Sequence, residues 1–254
     1  MANEAIEMSA KNLGAAVLPN MCPRCLWIKY KMQNRVPFEI FPAIFSQIDS
    51  YTKKHVEEHL RIHGKFPPAI DNLIPHLNTS LPVPTYKTFC SSFRGTNLVL
   101  RGTPDAVYLR RDEKVVIVDY KTAHFKADDP LLPMYKIQLN VYGFLWQAIY
   151  DRPLAGLKLI YTDPLTDADA AGLDENTTPS GFKLGFDAHI LNVEMDLESV
   201  FWACKIAEGI LSKEKCPEGR EGCPNCQKVN RMVEVAKAVA SYEREQEHCT
   251  PPLA

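Results

Sequence analysis

Residues 101–122 read RGTPDAVYLRRDEKVVIVDYKT, and residues 136–144 read KIQLNVYGF. In the first stretch Asp105–Leu109 and Val115–Tyr120 have the composition of strands, joined by the charged turn Arg110-Arg111-Asp112-Glu113-Lys114, which predicts a hairpin. Side chains of a strand alternate faces, so Asp119 and Lys121 point one way while Val116, Val118 and Tyr120 point the other. A carboxylate and an ammonium closing an apolar strand are costly to bury. Asp105 on the adjacent antiparallel strand brings a second carboxylate near the first. Two carboxylates repel each other and are stabilised together by a hard divalent cation such as Mg²⁺ or Mn²⁺. A neighbouring lysine can orient a metal-bound water and stabilise charge on a phosphate, which completes the parts for hydrolysing a phosphodiester. In the second stretch Gln138 and Tyr142 lie four residues apart, on one face of a helix, where they can steady the lysine or contact a phosphate.

Outward from this centre, Leu98–Arg101 reads as another strand, and Pro133–Tyr150 as an amphipathic helix opened by its proline. Leu157–Thr162 and Phe186–Val193 read as strands, Asp196–Leu211 and Val229–Glu247 as helices. Upstream, residues 41–62 have helical spacing, with Ile44, Ile48, Tyr51, His55 and His59 on neighbouring turns. Between 65 and 84, five prolines predict a loop or broken short elements. The order implies an α/β fold of the α+β type: a mixed central sheet flanked by helices, in a single domain over residues 1–254.

The chain has 254 residues, 46% hydrophobic and 24% charged, which excludes a disordered tail, a collagen and a fibre. Its 29 Lys and Arg against 31 Asp and Glu leave a formal charge of -2, so no global positive field draws it to a polyanion. Binding to one needs metal ions or a local basic track, for which Arg94, Arg101, Arg110, Arg111, Lys114 and Lys126 are the candidates. The longest mostly apolar run, Val141–Tyr150, is far short of a membrane span. The first twenty residues lack the charged-then-apolar order of a secretory signal, so a cytoplasmic protein is expected. Eight cysteines there stay reduced, which favours a metal site over disulfides.

The three motifs, Gly102-Thr103-Pro104-Asp105, Asp119-Tyr120-Lys121 and Gln138-Leu139-Asn140-Val141-Tyr142, resemble in order those of the PD-(D/E)XK nuclease superfamily, in its RecB-like branch. The resemblance covers roughly residues 20 to 230. It implies a restriction-endonuclease-like core and Mg²⁺-dependent cleavage of DNA, with Asp105 and Asp119 as metal ligands and Lys121 positioning the attacking water. The branch usually carries a histidine ligand on its first helix. Aligning Phe45-Ser46-Gln47-Ile48-Asp49 with that motif puts Asp49 in its place, with His55 as the alternative. Loss of that ligand leaves open a catalytically inactive DNA-binding or assembly module of the same fold.

Cys22-Pro23-Arg24-Cys25 and Cys223-Pro224-Asn225-Cys226 are paired C-x-x-C knuckles, one toward each end, and imply a four-thiolate site for zinc or an iron–sulfur cluster. The CRISPR-associated RecB-like exonucleases and AddB resemble this arrangement, with one N-terminal and three C-terminal cysteines on a [4Fe–4S] cluster. The trio here, Cys216, Cys223 and Cys226, is spaced differently. The preferred set is Cys22, Cys25, Cys223 and Cys226, with Cys216 as substitute for one N-terminal member. Cys90, Cys204 and Cys249 look unrelated, Cys204 being core beside Phe201, Trp202 and Ile206. Finally, His55-Val56-Glu57-Glu58-His59 matches the H-x-x-E-H of inverted zinc proteases, the competing enzyme reading; its plainer reading is a solvated polar face.

Overall fold

The computed structural model describes residues 5–36 and 42–248, with side chains as far as residue 242. By its contacts the chain divides into two compact units, Met1–Pro19 with Phe41–Glu208, and Asn20–Ile40 with Gly209–Ala254.

The first unit opens with β1 (Ile6–Ser9) and α1 (Ala10–Ala15), where the Ser9 side chain accepts the N–H of Asn12 and caps the helix. α2 (Pro23–Lys31) belongs to the second unit. The first resumes with α3 (Ala43–His63), α4 (Pro68–Leu73), β2 (Leu77–Leu81), β3 (Cys90–Ser92), β4 (Leu98–Arg101), β5 (Ala106–Arg110), β6 (Val115–Thr122), α5 (Leu132–Ile149) and β7 (Leu154–Pro164). After the small pieces α6 (Ala168–Ala171), β8 (Thr177–Thr178) and β9 (Gly181–Phe182) come β10 (Phe186–Val193) and α7 (Leu197–Leu211). α8 (Pro224–His248) lies in the second unit.

The central sheet is mixed, in the order β10-β7-β6-β5-β2. β5 and β6 form the expected antiparallel hairpin, and Glu113 in its turn takes a left-handed φ of 61°. β6 and β7 are parallel, a pairing that requires a crossover, and α5 supplies it. Val115 to Val118 are buried throughout, as a strand covered on both faces demands. One cover includes Val56 of α3 and Ile70 of α4 on Val116, Val118, Tyr120 and Tyr108. The other is α5, whose buried positions run from Met134 to Trp146 almost all round the helix.

Three expectations shift. Leu98–Arg101 is a strand, but it sits in a separate sheet ordered β1-β4-β3, because Gly102-Thr103-Pro104 interrupts pairing before the chain enters β5. The proline-rich connector, by contrast, is broken into short elements as expected, α4 and the edge strand β2, its prolines 67 and 68 starting the helix. In α3 the inward residue is Val56, while Ile44, Tyr51 and His55 face solvent; Phe41 lies outside the described residues. On α7, Val200, Ala203, Cys204 and Ala207 are buried, as expected for Cys204, but Trp202 is 58% exposed because it falls off that stripe. No helix among the described residues is long and apolar enough to cross a membrane.

Candidate active site and cysteine centre

Asp119 and Lys121 project from β6 toward α5, and the Lys121 ammonium makes an ion pair with Asp119 Oδ2. Asp119 is almost fully buried. From α5, Gln138 Nε2 donates to Asp119 Oδ1 at 3.1 Å and to the Tyr142 hydroxyl at 2.9 Å. The helical spacing of four residues therefore builds one polar chain: lysine, carboxylate, amide, phenol. Gly102 is required beside it, since a Cβ there would collide with the ring of Tyr142. Lys121 Nζ also lies 4.9 Å above the ring centre of Tyr135, which holds the ammonium on its open side.

Asp105 immediately precedes β5, and its Oδ2 accepts the backbone N–H of Tyr120 at 2.8 Å. This clips the second carboxylate to the residue following Asp119. Burial pushes the Asp119 carboxyl up to about 6, against the pull of Lys121, and the nearby Asp105 charge adds to the rise. Asp119 Oδ2 has no directed hydrogen bond besides its ion pair, and Gln138 Oε1 has no partner at all, though both are buried. Two hard carboxylates, with the unpartnered Gln138 Oε1 beside Asp119, are a donor set that suits a small divalent cation.

Asp49, the candidate third ligand, lies on α3. Four residues before Lys53 on α3, it accepts the Lys53 ammonium at 2.7 Å, and the same ammonium lies 2.6 Å from Asp105 Oδ1. Burial works against the charge on Lys53, but Asp105 and Asp49 outweigh it and hold the amine above its ordinary value. Asp49 thus meets Asp105 through a lysine, and Asp49, Asp105 and Asp119 do not converge as one ligand group among the described residues. Sequence reasoning missed Lys53, although Asp49-x-x-x-Lys53 is an i, i+4 ion pair facing the site. His55, Glu58 and His59 form no ligand group either: Glu58 is bound by Arg61 at 2.6 Å and His59 Nδ1 is 3.0 Å from the carbonyl of Lys65. That is the solvated polar face. Of the basic track, Arg101 and Arg110 are held by Glu7 and Asp112.

In the second unit Cys22, Cys25, Cys223 and Cys226 bring their sulfurs within 4.8 Å of one another. Each knuckle opens a helix, with Cys22 before Pro23 of α2 and Cys223 before Pro224 of α8. The backbone N–H of Arg220 donates to Cys22 Sγ at 3.2 Å. Burial raises the Cys22 thiol, but this N–H and the neighbouring thiols overcome it and bring it to about 6, while burial pushes Cys226 up to about 11. Such crowding of ionisable sulfurs suits a cation between them. Cys216 is exposed and outside the group; Cys249 lies outside the described residues.

The profile of the PD-(D/E)XK nuclease superfamily matches residues 16–230, which includes all three motifs and the paired knuckles. The chain belongs to the PD-(D/E)XK nuclease superfamily. A solved structure described as the crystal structure of SSO0001 is similar at 16% identity and a TM-score of 0.39, covering 85% of this chain and 81% of that one. No curated protein matches. A nuclease-type function, characteristic of the superfamily, thus has the sequence motifs, the mixed sheet and the placement of the polar chain behind it.

Proposed function

We propose that this PD-(D/E)XK protein is a divalent-metal-dependent deoxyribonuclease of the RecB-like branch, working in the cytoplasm and cutting DNA phosphodiesters at Asp105, Asp119 and Lys121. The observation that carries the reading is the chain Lys121–Asp119–Gln138–Tyr142, buried from Asp119 onward, with Asp105 clipped beside it. Asp105 and Asp119 are the oxygen donors that would hold Mg²⁺ or Mn²⁺. When bound, that ion supplies charge neutralisation at the phosphate and lowers the pKa of a water. Lys121 is placed to orient the attacking water toward phosphorus and to offset negative charge as the P–O bond to the leaving oxygen breaks. Gln138 fixes Asp119 by donating to Oδ1, and Tyr142 fixes Gln138. Tyr135 keeps the Lys121 ammonium from swinging away. All three hold the reacting groups in place.

The test is cleavage of linear and circular DNA, single- and double-stranded, with and without Mg²⁺ or Mn²⁺. Metal should switch cutting on, and Lys121→Ala should abolish it while circular dichroism stays unchanged and melting shifts by no more than a few degrees. DNA retention without cutting, indifferent to Lys121→Ala, identifies the inactive binding module. A damaging His59→Ala with an intact Lys121→Ala would instead favour proteolysis.

A further inference from the structure

We propose that the cysteine centre is a mononuclear zinc tetrathiolate held by Cys22, Cys25, Cys223 and Cys226, and that it takes the place of a hydrophobic core in the second unit. The first argument is a length. With Zn–S bonds of about 2.3 Å, the sulfurs of a tetrahedral site stand roughly 3.8 Å apart. Here Cys22 and Cys226 are 3.5 Å apart, Cys25 and Cys223 3.6 Å, and Cys25 and Cys226 3.7 Å. All four lie within 4.8 Å of one another. In a [4Fe–4S] cube each thiolate points outward from its own iron, so its sulfurs stand farther apart than those on one ion, and a [2Fe–2S] centre separates its two pairs in the same way. The sulfurs that touch here come from opposite knuckles, which leaves room for one ion and none for a cluster.

Among single ions that accept four thiolates, zinc binds more tightly than ferrous iron in the ordinary order of divalent affinities. The surroundings fit as well. Gly219 passes so close that a Cβ there would come within 2.6 Å of Cys226 Sγ, so the loop before α8 is wrapped onto the sulfurs. Both knuckles lie at helix starts, whose backbone N–H groups favour negative sulfur.

The second argument is what else the unit buries. Among its described residues only Leu26, Val36, Ile210 and Leu211 are buried besides Cys22, Cys223 and Cys226. Among the described residues, Cys22, Cys223 and Cys226 form a packed cluster of their own, with Cys25 against it. Of α8, residues 227–242 are exposed except for the half-buried Val229. A helix whose described residues beyond 226 are covered so little is positioned by its first turn, which carries Cys226. The ion therefore supplies the unit's order directly.

The full chain, purified without added metal and again anaerobically, should carry about one zinc, be colourless, and give the visible bands of a tetrahedral thiolate site when loaded with Co²⁺. Cys216→Ser should retain the zinc, and Cys223→Ser should lose it. Stripping the ion with a thiol-reactive mercurial and chelator should raise amide exchange in residues 20–36 and 209–248 by at least tenfold, leaving β5, β6, β7 and α5 protected. Brown protein with iron and acid-labile sulfide overturns the proposal, as does a single iron without sulfide. Unchanged exchange in those segments after complete metal removal overturns the structural role. Because the exchange reading compares segments of one wild-type chain, it stands even where Cys223→Ser fails to fold.

Discussion

The two units of this protein reach order by different physics. In the first, Val115–Val118 of β6 is covered from both sides, and the sheet is held by buried Ile, Leu, Val, Tyr and Trp side chains. In the second, a long exposed helix and a short one start from knuckles whose sulfurs form the packed cluster. A polar site can be buried at low risk only where the surroundings are over-determined, and the placement of Lys121, Asp119 and Gln138 in the first unit follows that rule. The second unit buries too little apolar surface among its described residues to do the same. Its four sulfurs converge where hydrophobic side chains do not.

Four measurements would break or sharpen this contrast, in decreasing order of effect. Lys121→Ala should lower DNA cleavage by about 10³-fold or more, roughly 4 kcal/mol of barrier, with melting shifted by only a few degrees. A parallel collapse in stability would mean that the ammonium holds the core together. Leu145→Ala, at a fully buried position of α5, should cost about 3 kcal/mol in urea unfolding, whereas Val235→Ala on the exposed part of α8 should cost under about 0.5 kcal/mol. Equal costs would erase the distinction between the two kinds of order. Lys53→Met should tighten Mn²⁺ binding about tenfold by calorimetry, since the ammonium now offsets the charge of Asp105. Weaker binding would make Lys53 part of the cation site.

The smallest effect concerns pH. Asp119 titrates near 6 when folded, above its ordinary value of 3.8, so the native state holds a proton that the unfolded chain has released between those values. Stability of the metal-free protein should therefore fall as pH rises from about 4 to about 6, and that loss persists at higher pH. Asp119→Asn should stabilise the protein by about 1 kcal/mol at pH 8, with the gain disappearing below pH 4. A gain that grows toward acid would show that Lys121 sets the ionisation of Asp119 more strongly than burial does.

Much of the site was legible because strand alternation and helical spacing act locally. Asp119 and Lys121 share a face as two residues apart in β6 must, and Gln138 reaches Tyr142 as residues four apart in α5 must. The Gly102 requirement was not legible, since the ring that excludes a Cβ arrives from forty residues away. Lys53 was hidden for a related reason. The i, i+4 pairing with Asp49 is local, but the turn of α3 that aims the lysine at Asp105 is set by Val56 packing on the sheet. The strand β1 escaped because four residues carry little pattern and its partner β4 lies some ninety residues on.

The amino-acid order by itself determined the hairpin, the helix that follows it, the shared faces of their polar residues, and the two cysteine knuckles. Each follows from a repeat of two or 3.6 residues, or from a thiol spacing that a short turn closes. Only the tertiary structure decided which strand leaves the central sheet, that Lys53 rather than a third acid faces Asp105, and that sulfurs two hundred residues apart touch. Those outcomes depend on which surfaces are buried together, and burial is a property of the assembled chain that no local period records.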